Sequence, residues 1–270
     1  MHFQRFTPSE QLRPYVQYFW TLESTDLGSP PPTFRTLADG CPGLIFQQPT
    51  SAPILTPSGK PWPTLLLHGQ TTQPGDMRPQ GPFRLVGACL LPSAVPTLFQ
   101  LPASALTDVC IDLALRSATE RTLVQQLQEA PTLAQQLARL AAQLLAALPL
   151  AGKHTDPGMA YAVQQIQAAP HHVSLAQVQA ACCLSERSFQ RRFKHAVGIT
   201  PQLFARICRF QASLQQLRTA DYTRLAEVAH AHEYADQSHH IRAFQEFAGV
   251  SPRQYRLQAQ PELAGFPALL

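Results

Sequence analysis

The last hundred residues contain a degenerate repeat that constrains the fold more than any other feature of the chain. Leu175 to Phe204 reads LAQVQAACCLSERSFQRRFKHAVGITPQLF, and Leu225 to Tyr255 reads LAEVAHAHEYADQSHHIRAFQEFAGVSPRQY. Matching positions lie 50 residues apart before the central turn and 51 after it: Leu175 with Leu225, Val178 with Val228, Arg191 with Arg242, Phe193 with Phe244, Gly198 with Gly249 and Pro201 with Pro252. Each copy reads as a short helix, a turn, a second helix and then Gly-x-Thr/Ser-Pro. Two such helix-turn-helix units on one chain can read two successive turns of DNA.

In the first copy Ser174 is placed to cap a helix over Leu175–Ala181, Cys182-Cys183-Leu184 to turn the chain, and Ser185 to cap a second helix over Glu186–Ala196. Phe189 and Phe193 fall at i and i+4 and mark an inward face. Arg187, Gln190, Arg191 and Lys194 occupy the opposite one. That face suits a major groove: arginine grips guanine O6 and N7, glutamine grips adenine, and lysine holds phosphate. A merely solvated basic face is the plainer reading of one such helix, and the surrounding motif argues against it. In the second copy Leu225–Ala231 is the first helix and Asp236 caps the second. Phe244 and Phe247 face in, while Ser238, His239, Arg242 and Gln245 lie outward. Between the copies Thr200 caps, and Pro201 opens, a helix over Gln202–Thr219 that is about 27 Å long at roughly 1.5 Å per residue. Successive major-groove faces lie about 34 Å apart, so this helix is a rigid spacer between two readers.

The charge follows the repeat. Residues 1–152 carry nine Lys/Arg and nine Asp/Glu, whereas residues 153–270 carry twelve and eight, so the whole net charge of +4 sits on the repeat-bearing part. A basic excess there suits phosphate contact. No run of 18 apolar residues is present, and the N-terminus lacks an apolar signal-peptide core, so neither a membrane nor export is expected. The six cysteines, at 41, 89, 110, 182, 183 and 208, follow no disulfide or zinc spacing and read as reduced thiols of a cytoplasmic protein.

The N-terminal part is built differently. Residues 1–102 hold 17 of the 25 prolines, a density that breaks helices and suits edge strands and turns. Short apolar runs at Tyr15–Leu22, Leu44–Gln47, Thr64–His68 and Phe83–Leu91 alternate with turn signals such as Asp39-Gly40, Pro42-Gly43 and Gly81-Pro82. A small β-rich domain over residues 1–118 is expected, as a barrel or a sandwich. Residues 119–152 change to Leu, Ala and Gln and form a helical segment and linker. Leu133, Leu137, Leu140 and Leu144 make a 4-3-4 stripe, extended backwards by Leu127 and Leu123. The stripe admits two readings: packing on its own domain, or a homodimer seam. The linker Pro149 to Gly158 leads to a helix opening at Asp156 or Pro157 and stopped by Pro170. The reader domain then spans 153–258, with a tail over 259–270.

The C-terminal pattern resembles the AraC family of transcription regulators. The residues that carry the resemblance are Ser185-x-x-x-Phe189-x-Arg191-x-Phe193-Lys194, Gly198-x-Thr200-Pro201-x-x-Phe204, Arg209-Phe210-x-x-Ser213 and Asp236-Gln237-Ser238-His239-His240-x-Arg242-x-Phe244, ending in Gly249-x-Ser251-Pro252-x-x-Tyr255-Arg256. Two departures stand out. The family usually has Gly-Phe or Gly-Tyr in the second turn, where this chain has Glu233-Tyr234, and an apolar residue, commonly Phe, where it has His240. A left-handed turn costs Glu roughly 1 kcal/mol more than Gly, and a half-buried His is expected to loosen the second unit. The segments Leu12 to Trp20, Leu37 to Phe46, His68 to Thr72 and Val86 to Pro92 resemble an uncharacterised, cupin-like sensor domain found ahead of AraC-type readers.

The resemblance implies an α+β chain of two domains: a β-rich, cupin-like barrel or sandwich followed by helices, then an all-α domain with two helix-turn-helix motifs joined by a long helix. It implies a regulator that binds double-stranded DNA and works with RNA polymerase. Its N-terminal domain is expected to bind a small effector of unknown chemistry, to dimerise, or both. No cofactor, no metal and no enzymatic activity are expected. His230 and His232, at i and i+2, do not share a helix face. Asp39, Cys41 and His68 have nothing in the sequence that places them together, and the His/His/Glu metal set of cupin enzymes is missing. The alternative reading is a sensor or adaptor whose second reader has weakened or been lost.

Overall fold

The computed structural model describes residues 2–25, 34–49, 51–56, 58–148, 156–219 and 222–258. The chain begins with β1 (His2–Phe6), β2 (Val16–Ser24), β3 (Phe34–Thr36), β4 (Gly43–Gln47), β5 (Ile54–Leu55), β6 (Leu65–His68), β7 (Gly75–Pro79) and β8 (Phe83–Leu90). A short helix α1 (Val95–Phe99), a 3₁₀ turn at Ala103–Ala105 and β9 (Cys110–Asp112) follow. Helices then take over: α2 (Ala118–Glu129), α3 (Leu133–Ala146), α4 (Pro157–Ala168), α5 (Leu175–Ala181), α6 (Glu186–Val197), α7 (Pro201–Thr219), α8 (Leu225–Ala231), α9 (Gln237–Ala248) and α10 (Pro252–Gln258).

The protein is thus α+β, with a β-rich N-terminal region and a helical C-terminal one. The strands form two antiparallel sheets, one of six in the order β1-β2-β8-β4-β6-β9 and one of three in the order β3-β7-β5. Side chains of the larger sheet alternate between two cores, as the two-residue period of a strand requires. Leu44, Phe46, Leu65, Leu67, Val86, Ala88 and Leu90 point to a core shared with α2 and α3. Trp20, Leu22, Ile45, Leu66, Leu85 and Cys89 point the other way, toward Phe34, Ile54 and Met77 near the smaller sheet. Burial on both faces explains why these strands read as unbroken apolar runs.

Leu137, Leu140 and Leu144 of α3, with Leu123 and Leu127 of α2, are buried in that first core, and Leu133 packs at its edge. The homodimer seam read from the leucine stripe is therefore already covered within the chain. Residues 149–155 of the expected linker and the whole tail lie outside the described residues.

The C-terminal helices end and begin where their caps dictate. Asp156, Ser174, Ser185 and Asp236 each accept a backbone N–H from the first turn of α4, α5, α6 and α9, and Thr200 accepts that of Leu203 at 3.2 Å to open α7. Inside, Phe193, Phe204, Phe210, Phe244 and Phe247 are all fully buried. Burying each contributes roughly 1.5–3 kcal/mol, and together they join both helix-turn-helix units and the spacer in one core.

Candidate functional site

Helix α6 buries Phe189 and Phe193 and leaves Arg187, Gln190, Arg191 and Lys194 exposed. Gln190 Nε2 donates to Glu186 Oε1 at 3.1 Å, which holds it along the helix surface. Other cations nearby are already engaged: Arg192 pairs with Asp156 at 2.7 Å, and Arg206 with Glu246 at 2.5 Å. Among the described residues Arg187, Arg191 and Lys194 take part in no such pair, so their charge is available to a ligand. Arg191 and His195 stand beside Ser93 and Pro96, at the start of α1, so the N-terminal domain flanks one side of this face. The end of α6 is anchored there, with Thr107 Oγ1 donating to the Gly198 carbonyl at 2.8 Å.

Helix α9 repeats the arrangement. Phe244 and Phe247 are buried, while Ser238, Arg242 and Gln245 are exposed. His239 is only half exposed, because its ring meets Tyr234 edge-on at 5.4 Å. The two departures from the family pattern are visible in the geometry. Glu233 adopts φ 53°, the left-handed turn expected of it, and its carboxylate pairs with His172 Nδ1 at 2.8 Å. Cys183 holds the same place in the first unit at φ 54°, so neither turn uses glycine. His240 is fully buried rather than half-buried, between Tyr234 at 4.8 Å and Phe244 at 5.1 Å. Neither of its ring nitrogens has a hydrogen-bond partner among the described residues. Burial, with His232 nearby, pushes its pKa down to about 4. The second unit nevertheless keeps its cap, its core and its outward arginine.

A second site lies between the two sheets of the N-terminal domain, in a cavity of about 530 Å³. Two glycines make room for its rings. Gly87 faces Trp20 across β2 and β8, and a Cβ there would come within 2.4 Å of the indole. Gly43 faces His68 across β4 and β6, and its Cβ would reach 2.4 Å from Nε2. Trp62, Ile45, Leu66 and Met77 complete much of the apolar lining. Asp39, Cys41 and His68, which the sequence leaves unrelated, all open onto this one space. Asp39 Oδ1 accepts the Cys41 N–H at 3.0 Å, and burial raises its carboxyl to about 7. Burial lowers the His68 imidazole, against the opposing pull of its contact with the Gly69 carbonyl. The Cys41 and Cys89 thiols share Gln17 Oε1 as acceptor, at 3.6 and 3.3 Å. The hydrogen bond with Cys89, followed by burial, holds the Cys41 thiol well above its usual range, the reverse of what an activated nucleophile needs.

The loop from Thr36 to Cys41 belongs to both sites. Thr36, Leu37, Asp39 and Cys41 line the cavity, yet Leu37 and Ala38 are buried in the C-terminal core. Ala38 N–H donates to the Phe247 carbonyl at 3.0 Å, and its carbonyl accepts Gln211 Nε2 of α7 at 2.5 Å. Gly40 rests at φ 75° so close to α7 that a Cβ would touch Phe204 and Ile207 at 3.5 Å. The sequence marks Asp39-Gly40 as a turn; Gln211, which holds the adjoining Ala38 carbonyl, lies 173 residues from it, beyond any local signal.

Family profiles match two stretches of the chain: a domain of unknown function, DUF6597, over residues 4–112, and a helix-turn-helix domain over residues 178–258. No curated protein matches the sequence. Among solved structures, an apo Lys-to-Ala variant of ToxT from Vibrio cholerae is similar at 11% identity, covering 90% of this chain and 98% of that one with a TM-score of 0.48. Wild-type ToxT from the same organism with an unsaturated fatty acid bound is similar at 10% identity, covering 90% and 94%, with a TM-score of 0.44. ToxT bound to (E)-4-(8-methylnaphthalen-1-yl)but-3-enoic acid is similar at 9% identity, covering 95% and 99%, with a TM-score of 0.45.

Proposed function

We propose that the chain is a sequence-specific transcription regulator of the AraC type: a helix-turn-helix domain profile matches residues 178–258, behind a domain of unknown function matched over residues 4–112. Helices α6 and α9 enter successive major grooves. Arg187, Gln190, Arg191 and Lys194 act in the first, and Ser238, His239, Arg242 and Gln245 in the second. One observation carries the reading: Arg191 and Arg242 occupy the same outward position in two packed units, exposed and outside the ion pairs that hold Arg192 and Arg206. Helix α7 spans about 28 Å at 1.5 Å per residue, which suits readers set one turn of DNA apart. The N-terminal cavity is the place for a small effector, and its occupancy shifts how the readers are presented. RNA polymerase is the expected protein partner, in the cytoplasm, and self-association would need a surface other than the leucine stripe.

An adaptor without a working second reader is the competing reading, and buried His240 favours it. The intact cap and outward arginine of α9 favour the regulator. An enzyme in the cavity is disfavoured: among the described residues no hydrogen bond joins His68 to Asp39 or Cys41, and the Cys41 thiol is deactivated rather than activated. Arginine substitutions test the main reading. On a selected site, Arg191→Ala and Arg242→Ala should each weaken binding by about 1–3 kcal/mol and relax preference at one box. An equal loss on all sequences would mean that the substituted arginine touches phosphate only.

A further inference from the structure

The cavity in the N-terminal domain has a chemistry that selects its occupant. At about 530 Å³ it is the size that takes a drug-like molecule. Its walls are mostly apolar, with both tryptophans of the chain, Trp20 and Trp62, among them. Among the described residues no lysine or arginine lines it, whereas two carboxylates do. Asp108 is committed to structure: Oδ1 accepts the Thr72 N–H and Oδ2 the Thr72 hydroxyl, each at 2.6 Å. Among the described residues Asp39 accepts backbone N–H groups alone, that of Cys41 through Oδ1 and its own. Its carboxyl therefore lines a mostly apolar space in which, among the described residues, no lysine or arginine stands to pair with it.

We propose that the effector is an apolar, aromatic-sized molecule bearing a basic nitrogen, that its ammonium pairs with Asp39, and that Ala38 transmits the pairing to the DNA readers. The proposal rests on the sensing role given to this domain above. An anionic ligand entering the same space meets like charge and, among the described residues, no lysine or arginine to offset it, with the His68 imidazole held toward its neutral form by burial. A cationic one meets Asp39 and a wall that carries two tryptophans, residues whose rings attract ammonium groups. Burial has already raised the Asp39 carboxyl to about 7, so a cation here relieves an existing electrostatic cost.

Of the contacts between the domains, the one next to Asp39 in the chain is made by Ala38. Ala38 adjoins Asp39 and is held from both sides by the C-terminal domain, through Gln211 of the spacer α7 and Phe247 of the second reader α9. A ligand that draws Asp39 into the cavity must therefore move, or be resisted by, the peptide that ties spacer and reader together.

The two tryptophans both lie in the cavity lining, so the fluorescence of the full chain reports on it directly. At pH 8, where Asp39 is ionised, the protein is titrated with phenylbutylamine, phenylbutanol and phenylbutanoate, three probes of similar size and different charge. The amine is expected to bind about tenfold or more tighter than the alcohol, and the carboxylate more weakly than either. Asp39→Asn is expected to bring the amine down to the alcohol's affinity. Carboxylate binding as tight as the amine's, an amine preference that survives Asp39→Asn, or no response to any probe would overturn the ligand class. The comparison of probes on the wild-type protein needs no variant and stands even if Asp39→Asn fails to fold. DNA affinity is then measured with saturating amine, in wild type and in Gln211→Ala. A severalfold shift in the wild type that Gln211→Ala abolishes supports the route through Ala38, and a shift that survives the substitution overturns it. Asp39-dependent binding with no shift in DNA affinity would leave the ligand class standing and overturn both the route and the sensing role.

Discussion

His240 stands where the repeat calls for an apolar ring, buried against Tyr234 and Phe244, with neither nitrogen hydrogen-bonded among the described residues. An unsatisfied buried donor or acceptor costs about 1–3 kcal/mol. Its pKa is about 4 in the fold against 6.5 when free. The imidazole is thus neutral in the native state, and unfolding below pH 6.5 takes up a proton. The stability it allows is present above pH 6.5 and is lost as the pH falls from there through 4. His240→Phe should raise the melting temperature by a few degrees at pH 7 and by more at pH 5. A thermal melt at both values checks it, and a gap that does not widen at pH 5 would contradict the assignment. Asp39 has the opposite sign. Its carboxyl titrates near 7 instead of 3.8, so the fold favours the protonated form. That contribution is full below 3.8 and is lost as the pH rises through 7. In the absence of ligand, Asp39→Asn should therefore be more stable than wild type at pH 8, and the difference should shrink toward pH 4. Melting curves of the two proteins across that range provide the measurement. A carboxylate held at a cost to stability on a cavity wall fits the binding role proposed for Asp39.

At the scale of elements, caps and amphipathic periods read true wherever local chemistry decides the structure. Ser174, Ser185 and Asp236 cap the helices expected of them, and the four apolar runs of the N-terminal part became β2, β4, β6 and β8. Elements that depend on distant partners were not legible. Strands β3, β5 and β7 are short and bounded by turn residues, and only pairing with one another makes them a sheet. The cavity needs Gly43 and Gly87 opposite two rings on neighbouring strands, a juxtaposition that register alone creates. The leucine stripe on α3 could not be resolved from periodicity, since a helix on a sheet and a helix on its twin need the same spacing. The structure places Leu140 in the sheet core, fully buried. Leu140→Ala should then cost about 2–5 kcal/mol in a denaturant titration and leave the sedimentation coefficient unchanged. A change of oligomeric state without loss of stability would restore the seam.

Across the whole molecule, the domains are joined by contacts that a flexible tether would not need. The 36–41 loop lines the cavity and fills the reader core, and Thr107 holds the end of α6. The N-terminal domain and both helix-turn-helix units are therefore packed together, and the sensing role proposed above predicts that a change in the cavity reaches α6, α7 and α9. That continuity matters only if both units read sequence, which is the central claim. A selection of the purified chain on random duplex DNA at near-physiological salt tests it most directly. Two short boxes about one helical turn apart, 10–10.5 bp from centre to centre, are the predicted result. A single box would contradict it and mean that α9, with His240 beneath it, supports the fold without reading bases.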